Sequence, residues 1–417
     1  MSLWTVHGDG RSLAEGEVVR SDERLSWPMT IGLGGQHLLA MFGAAVLVPA
    51  VTGFPVSATL LFSGIGTALF IAITRNRVPA YLGSSFAFVA PLIAAKSQGV
   101  PAALGGVLMA GVLVFVVGIA VKALGIRLVD SVMPPVVTGA VILLITLNQA
   151  PAVAAAANRQ VLFAALTVAV AALCAILSKG LLARLAVLIG IVVGWVVAAV
   201  AGRLDPGALT GLANASWFSL PTLQQPELRT STVVLMLPAV FVLVAQNVAH
   251  LKAIGAVTGR DLGGHTGDVL IATGLATALA GAGGGSATST YAENIGVMAA
   301  TRVYSTAAYL VAAGGAVALS LCPKVSALVA TIPPGVVGGA TLMLYGLVAM
   351  VGIRIWLDNK VDLTDPLNLL LAGAAVAAGI GNVTLDIGPM QVGGIVWGSV
   401  VMVIGYPVLR RLRRLRG

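Results

Sequence analysis

One acidic side chain set inside an apolar run is the residue best placed to do chemistry. Glu293 follows the segment Gly283-Gly284-Gly285-Ser286-Ala287-Thr288-Ser289-Thr290-Tyr291-Ala292, and Asn294 comes next. Small and polar residues there interrupt an otherwise hydrophobic stretch. A carboxylate at bilayer depth is costly, so it reads as a site group accepting hydrogen bonds from a flat polar substrate. The competing reading is a structural carboxylate that satisfies free backbone N–H groups where a broken helix begins. A second interruption, Tyr81-Leu82-Gly83-Ser84-Ser85-Phe86-Ala87-Phe88, has similar character. Phe86 falls where a half-helix would start, with an N–H free to donate and a ring able to cover a heterocycle. Tyr291 offers a similar amide and ring. A lone aromatic in such a chain is otherwise core or lipid-facing.

Gln246, Asn247 and His250 form a third polar group. Gln246 and His250 are four residues apart and share a helical face. Gln246 both donates and accepts, which suits an imide or lactam edge. His250 titrates nearest physiological pH, so it is a candidate to carry a coupling proton. The plainer reading is a hydrogen-bonded packing network, since these groups need partners in hydrocarbon. His37 is a candidate for the same network, Thr290 and Asn294 are candidate supporting groups, and Tyr345 carries a hydroxyl that can reach in from a later segment. Asp386 equally suits the outer end of its segment and stays outside the core site. No nucleophile motif, metal-ligand set or phosphate loop accompanies these groups, so the expectation is a carrier without cofactor rather than an enzyme.

Composition says which elements must hold these residues. Of 417 residues, 58% are hydrophobic and only 9% charged, against about 25% charged in an average soluble domain. So few charges cannot cover a soluble surface, which points to a polytopic membrane protein. The formal charge of +9 does not indicate nucleic acid, because Lys and Arg lie at the ends of apolar segments. Arg410, Arg411, Arg413, Arg414 and Arg416 follow an apolar stretch directly and read as a cytoplasmic stop beside anionic lipid. Cys174 and Cys322 give neither a disulfide framework nor metal-ligand spacing. Residues 1–26, with Asp9, Glu15, Glu17, Asp22 and Glu23, read as a short cytoplasmic tail rather than a cleaved signal.

Apolar segments between polar punctuation number about 14. They cover 30–51, 56–73, 81–96, 102–123, 131–149, 161–178, 184–202, 231–254, 267–281, 290–300, 304–328, 334–351, 366–383 and 390–409. A plain helix needs about 20 residues to cross, so in the third and tenth extended lead-in residues must share the crossing. With the N-terminus inside, Arg75, Arg77, Lys122, Arg127, Lys179, Arg184, Lys252, Arg260, Arg302, Arg354, Lys360 and the C-terminal arginines fall inside. Only Lys96, Arg159, Arg203, Arg229 and Lys324 fall outside. That bias fits an even span count with both termini cytoplasmic.

Met133-Pro134-Pro135-Val136-Val137-Thr138-Gly139-Ala140 recurs as Ile332-Pro333-Pro334-Gly335-Val336-Val337-Gly338-Gly339-Ala340. The copies open the fifth and twelfth segments from opposite sides, which predicts two halves of inverted topology. The two interruptions then occupy corresponding places, as do Gln36-His37 and Gln246-Asn247. Inverted halves with broken helices at the midplane form a transporter plan in which one group of spans carries the site and the other gates it.

On these residues the chain resembles the uracil permeases of the nucleobase–ascorbate transporter family, also called nucleobase:cation symporter-2. The densest motifs run from Gln36 to Gly43, Tyr81 to Phe88 and Tyr291 to Met298, extended by Thr301 to Ser305. The resemblance covers about Leu25 to Tyr406. It implies an all-α polytopic fold of 14 spans in two inverted sevens, with short antiparallel β-strands in the third and tenth. It also implies core domains at 27–128 and 229–330, gate domains at 129–228 and 331–410, a basic tail at 411–417, and a homodimer formed through the gate. Carried over, Glu293 holds the base through its ring N–H groups. Phe86 and Ala292 present backbone amides to its carbonyl oxygens, and Tyr291 lines the pocket. His250 supports the polar group of the eighth span, and Tyr345 faces it from the gate. One departure stands out: the family's uracil permeases have a glutamate where this chain has Gln246. That glutamate is implicated in proton coupling, and Gln246 cannot titrate, which leaves Glu293 or His250 as the candidates to carry the proton. The expectation is uracil uptake coupled to protons, with a purine (xanthine or urate) carrier or an uncoupled facilitator as alternatives.

Overall fold

A helix that is apolar on every side satisfies its own backbone, which a bilayer demands of anything that crosses it. The computed structural model describes residues 3–11, 13, 16–125, 133–148, 150–381, 383–387 and 390–416, and most of them are helical. Glu15, Arg127 and the 128–129 domain boundary lie outside the described residues. Eight helices there are long and apolar enough to span a membrane, and up to nine if Thr306–Ser320 and Pro323–Ala330, bent by 80°, count as one. Val161–Leu177, Ala186–Val200 and Pro366–Ile380 are shorter apolar helices.

The segment before the first long helix folds back onto the body. Strand β1 (Thr5–Val6) pairs in parallel with β2 (Glu23–Arg24). Trp4 Nε1 donates to Thr306 Oγ1 at 2.7 Å, and Val19 bridges Val303. Arg260 Nη1 donates to Ser21 Oγ at 3.4 Å. These contacts gather residues 76, 260 and 302–306 at one end of the molecule, all near cations expected on one side.

Close helix approach is written in glycine. Gly267, Gly274 and Gly281 recur every seven residues and turn one face of Thr266–Gly283 toward Val100–Leu124. A Cβ on Gly274 would stand 2.3 Å from Phe115 N, and one on Gly281 2.4 Å from Leu108 N. Gly111 and Gly118 reciprocate against Ala278 and Ile271. Small-residue faces of this kind maximise dispersion contact where lipid supplies no hydrophobic drive. Gly274→Leu is therefore expected to cost about 1–3 kcal/mol or more by overpacking, read as a lower melting temperature in detergent. An unchanged melt would remove this seam from the folding account.

Several expected boundaries move. The fifth segment, read as 131–149, is helix over Pro135–Asn148 and again over Ala150–Asn158, because the alanine-rich stretch continues it. The eighth and twelfth run longer, as Thr230–Thr258 and Pro334–Asp358. The thirteenth stops at Ile380 rather than 383, ahead of Gly381. The fourteenth does not begin at 390: β5 (Leu385–Ile387) pairs antiparallel with β6 (Met390–Val392), and helix starts only at Gly394. There a Cβ would sit 2.2 Å from the Ala378 carbonyl, so glycine lets the helix start fit against the preceding one. Asp386 lies in β5. The basic residues from 411 onward lie in the helix Tyr406–Arg416. Arg413 Nη1 meets Asp365 Oδ1 at 2.6 Å, and that hydrogen bond holds the Asp365 carboxyl below its ordinary range.

Candidate substrate site

At the interruptions the chain leaves the helix and pairs as strand. Strand β3 (Leu82–Ser84) lies antiparallel to β4 (Thr288–Thr290), with Gly83 opposite Ser289. The ladder extends at both ends, through Tyr291 N to Tyr81 O at 3.1 Å and Ser85 N to Ala287 O at 2.8 Å. The pairing is symmetric about Gly83 and Ser289, so Leu82 corresponds to Thr288 and Phe86 to Ala292. The outer edges of these strands find the same partner type. Thr67 Oγ1 accepts from Leu82 N at 2.9 Å and gives its own hydrogen to Ser63 O at 2.8 Å, while Leu82 O takes the Ser63 hydroxyl at 2.6 Å. Thr277 Oγ1 accepts from Thr288 N and donates to Thr288 O, both at 3.2 Å. Each unmet backbone group in hydrocarbon would cost several kcal/mol, so these threonines are what permits strand at this depth.

Sequence reasoning missed both threonines, although a signal was present. Ser63-Gly64-Ile65-Gly66-Thr67-Ala68-Leu69 recurs as Thr273-Gly274-Leu275-Ala276-Thr277-Ala278-Leu279. Ser63 Oγ donates to Leu82 O at 2.6 Å and lies 3.0 Å from the Tyr81 hydroxyl, while Thr273 Oγ1 donates to Asn247 Oδ1 at 3.3 Å. Both copies thus turn polar atoms toward the strands.

Two half-helices leave the strand crossing. Phe86–Phe88 is a tight turn continued by helix Val89–Ala95, and Ala292–Thr301 is the other helix. Both open with backbone N–H groups that have no acceptor in a preceding turn. Around them the strands and their threonines are fully buried, yet Phe86, Gln246, His250 and Glu293 each keep part of their surface and Ala292 is exposed. The helix Thr230–Thr258, which carries Gln246 and His250, packs against the Phe86 turn, β4 and Ala292–Thr301. No Lys, Arg or His forms an ion pair with Glu293 among the described residues. Tyr345 lies in a buried cluster with Val48, Val89 and Val153 against which Phe86 packs.

The remaining expected residues divide. Asn247 Nδ2 donates to Leu243 O at 2.8 Å, which turns Oδ1 toward the Thr290 hydroxyl, 3.0 Å away. With its hydrogen committed there, Thr290 accepts from His250 Nδ1 at 2.8 Å. This assigns the proton of the neutral ring to Nδ1 and leaves Nε2 as an acceptor. His250 is thus held by Thr290 and Asn247 rather than by Gln246, which has no hydrogen bond among the described residues. His37 does not join that network: Asn294 Nδ2 donates to its carbonyl at 2.9 Å and to Nδ1 at 3.2 Å, and its ring stacks 4.2 Å from Tyr309. Tyr291 is less available than expected. Its N–H serves the ladder, and its hydroxyl donates to Ser84 O at 2.9 Å. Cys174 and Cys322 are free thiols.

Broken helices meeting at a buried polar crossing, inside a body of apolar helices, define a membrane transport protein. The chain belongs to the Permease family, whose model matches residues 29–388. It is 42% identical over 395 residues to RutG of Escherichia coli (strain K12), provisionally named a pyrimidine permease, covering 91% of this chain and 89% of that one. It is 38% identical to the uracil permease of the same organism, with 91% of each chain covered, and 39% identical to that of Bacillus caldolyticus, with 90% of each covered. Among solved structures, the transmembrane domain of the cyanobacterium bicarbonate transporter BicA superposes with a TM-score of 0.55 at 17% identity, covering 90% of this chain and 96% of that one. The murine Solute Carrier 26 family member A9 anion transporter gives 0.61 at 12% identity, covering 93% and 69%. These two likenesses establish the fold alone. The protein is a permease, not an enzyme.

Proposed function

We propose that this permease carries uracil across the cytoplasmic membrane by alternating access. The carrying observation is the set of residues that keep surface at the strand crossing: one unpaired carboxylate, one unpaired amide, and two half-helix starts. A uracil ring offers N–H donors, which Glu293 accepts. Its carbonyl oxygens suit the amides of Phe86 and Ala292, and Gln246 completes the imide edge. The Phe86 ring covers one face, with Tyr345 behind it.

In this reading the chain forms 14 spans as two inverted sevens, with both termini cytoplasmic. Residues 27–128 and 229–330 form the core carrying the site, and 129–228 and 331–410 form the gate through which two copies pair. The local two-fold of β3 and β4, the twin threonine clamps and the repeated proline openings support that plan. A proton accompanies uracil, carried by Glu293 or His250, since Gln246 has no titrating group. Uptake of labelled uracil into proteoliposomes tests this, with an inward proton gradient imposed and then collapsed by an ionophore. Uptake driven above equilibrium supports symport; equal uptake with and without the gradient supports an uncoupled facilitator, the reading Gln246 favours.

Gln246→Glu is expected to keep uracil binding while steepening the pH dependence of uptake, because it adds a titrating group beside His250. A flat pH profile in both proteins would exclude this position from coupling.

A further inference from the structure

The cluster that packs on Phe86 also borders a cleft, through Val51, Ile93, Val153 and Tyr345. This cleft of about 800 Å³ opens at the end of the molecule that carries Lys96 and Arg159. Its walls come from the end of the first long helix, the turn at Lys96, the helix Ala150–Asn158 and the start of Pro334–Asp358. Cavities of roughly 300–1,000 Å³ are the size that holds small ligands. The lining is mainly apolar, with no Asp or Glu in it. Lys96 and Arg159 are both exposed, and neither forms an ion pair among the described residues. Tyr345 also lines the cleft, and its hydroxyl is buried without a hydrogen-bond partner.

The geometry points to a vestibule subsite for a planar heterocycle bearing a carboxylate. The proposal rests on the carrier reading above, with Lys96 on the core and Arg159 on the gate. The carboxylate is held between the two cations, as charge-assisted bonds to a bare pair of donors favour. The ring lies on the apolar wall, which includes Val153, Val337 and Tyr345. The ligand stops there, because the unpaired carboxylate of Glu293 repels an anion from the deeper position. A pyrimidine of this class is thus bound from outside and not carried.

6-Carboxyuracil (orotate) serves as the probe, beside uracil, on purified full-length protein. Binding is measured at about 20 mM and about 300 mM NaCl, across which the screening length falls from about 20 Å to about 6 Å. Orotate is expected to bind at low salt and weaken at high salt. K96Q and R159Q are each expected to weaken it by about tenfold and leave uracil affinity within about twofold. Glu293→Gln is expected to lose uracil and retain orotate, which separates the subsite from the deeper site. Loss of uracil binding by the wild type, with orotate still bound through the two cations, would sink the uracil reading and leave this one standing. The subsite is overturned if orotate fails to bind at low salt, binds the double variant K96Q/R159Q as well as wild type, is lost in Glu293→Gln together with uracil, or accumulates in proteoliposomes.

Discussion

Glu293→Gln is expected to reduce uracil affinity by about 100-fold or more. The wild-type carboxylate accepts from ring N–H groups in a low-dielectric setting, where a hydrogen bond to a charged group contributes about 1.5–3 kcal/mol. Glutamine is nearly isosteric but replaces one acceptor oxygen by a donor NH₂, which faces the substrate N–H and repels it. Two such bonds lost or inverted give the stated factor. The side chain carries no ion pair and keeps part of its surface, so the exchange leaves the protein's own contacts intact. An unchanged melting temperature beside lost binding is therefore the expected pattern in a titration of purified protein. Unchanged affinity would take Glu293 out of the site.

Gly83→Val is expected to weaken binding by at least about tenfold, and it acts through the scaffold rather than the substrate. Gly83 is the pivot of the strand pair, opposite Ser289. A Cβ there would stand 2.4 Å from the Tyr291 ring. That ring is fixed by its hydroxyl bond to Ser84 O and by the ladder bond from Tyr291 N. Valine must either push the ring aside or part the strands, and Tyr291 immediately precedes Ala292 and Glu293. The half-helix start moves in both cases. Uracil binding by Gly83→Val at wild-type affinity would show that the strand crossing does not position the carboxylate.

Much of this was legible because membrane burial makes each polar residue conspicuous. Glu293, Gln246, His250 and Phe86 stand out against apolar neighbours in the sequence, and none of the four is fully buried. What failed was the assignment of partners. His37 and His250 look alike in sequence, yet one is packed on Tyr309 and the other bonded to Thr290. Spacing along a helix sets which face a group takes, not which neighbouring element meets that face. The amide of Tyr291 looks free in sequence because nothing local reveals that Tyr81 O takes it. Thr67 and Thr277 were passed over as ordinary helix residues. Their role appears only when the strands they clamp are in place. Helix ends drifted where alanine carried a helix on, or where a strand pair replaced one, as Leu385–Ile387 with Met390–Val392.

The central claim is that a flat pyrimidine is gripped where the two broken helices meet. Its most direct test is equilibrium binding of labelled uracil to the purified protein, with unlabelled xanthine as competitor and Glu293→Gln in parallel. Saturable uracil binding, poor displacement by xanthine and no binding by the variant are expected. A folded wild-type protein that binds no uracil, or whose label xanthine displaces better than uracil does, would contradict it.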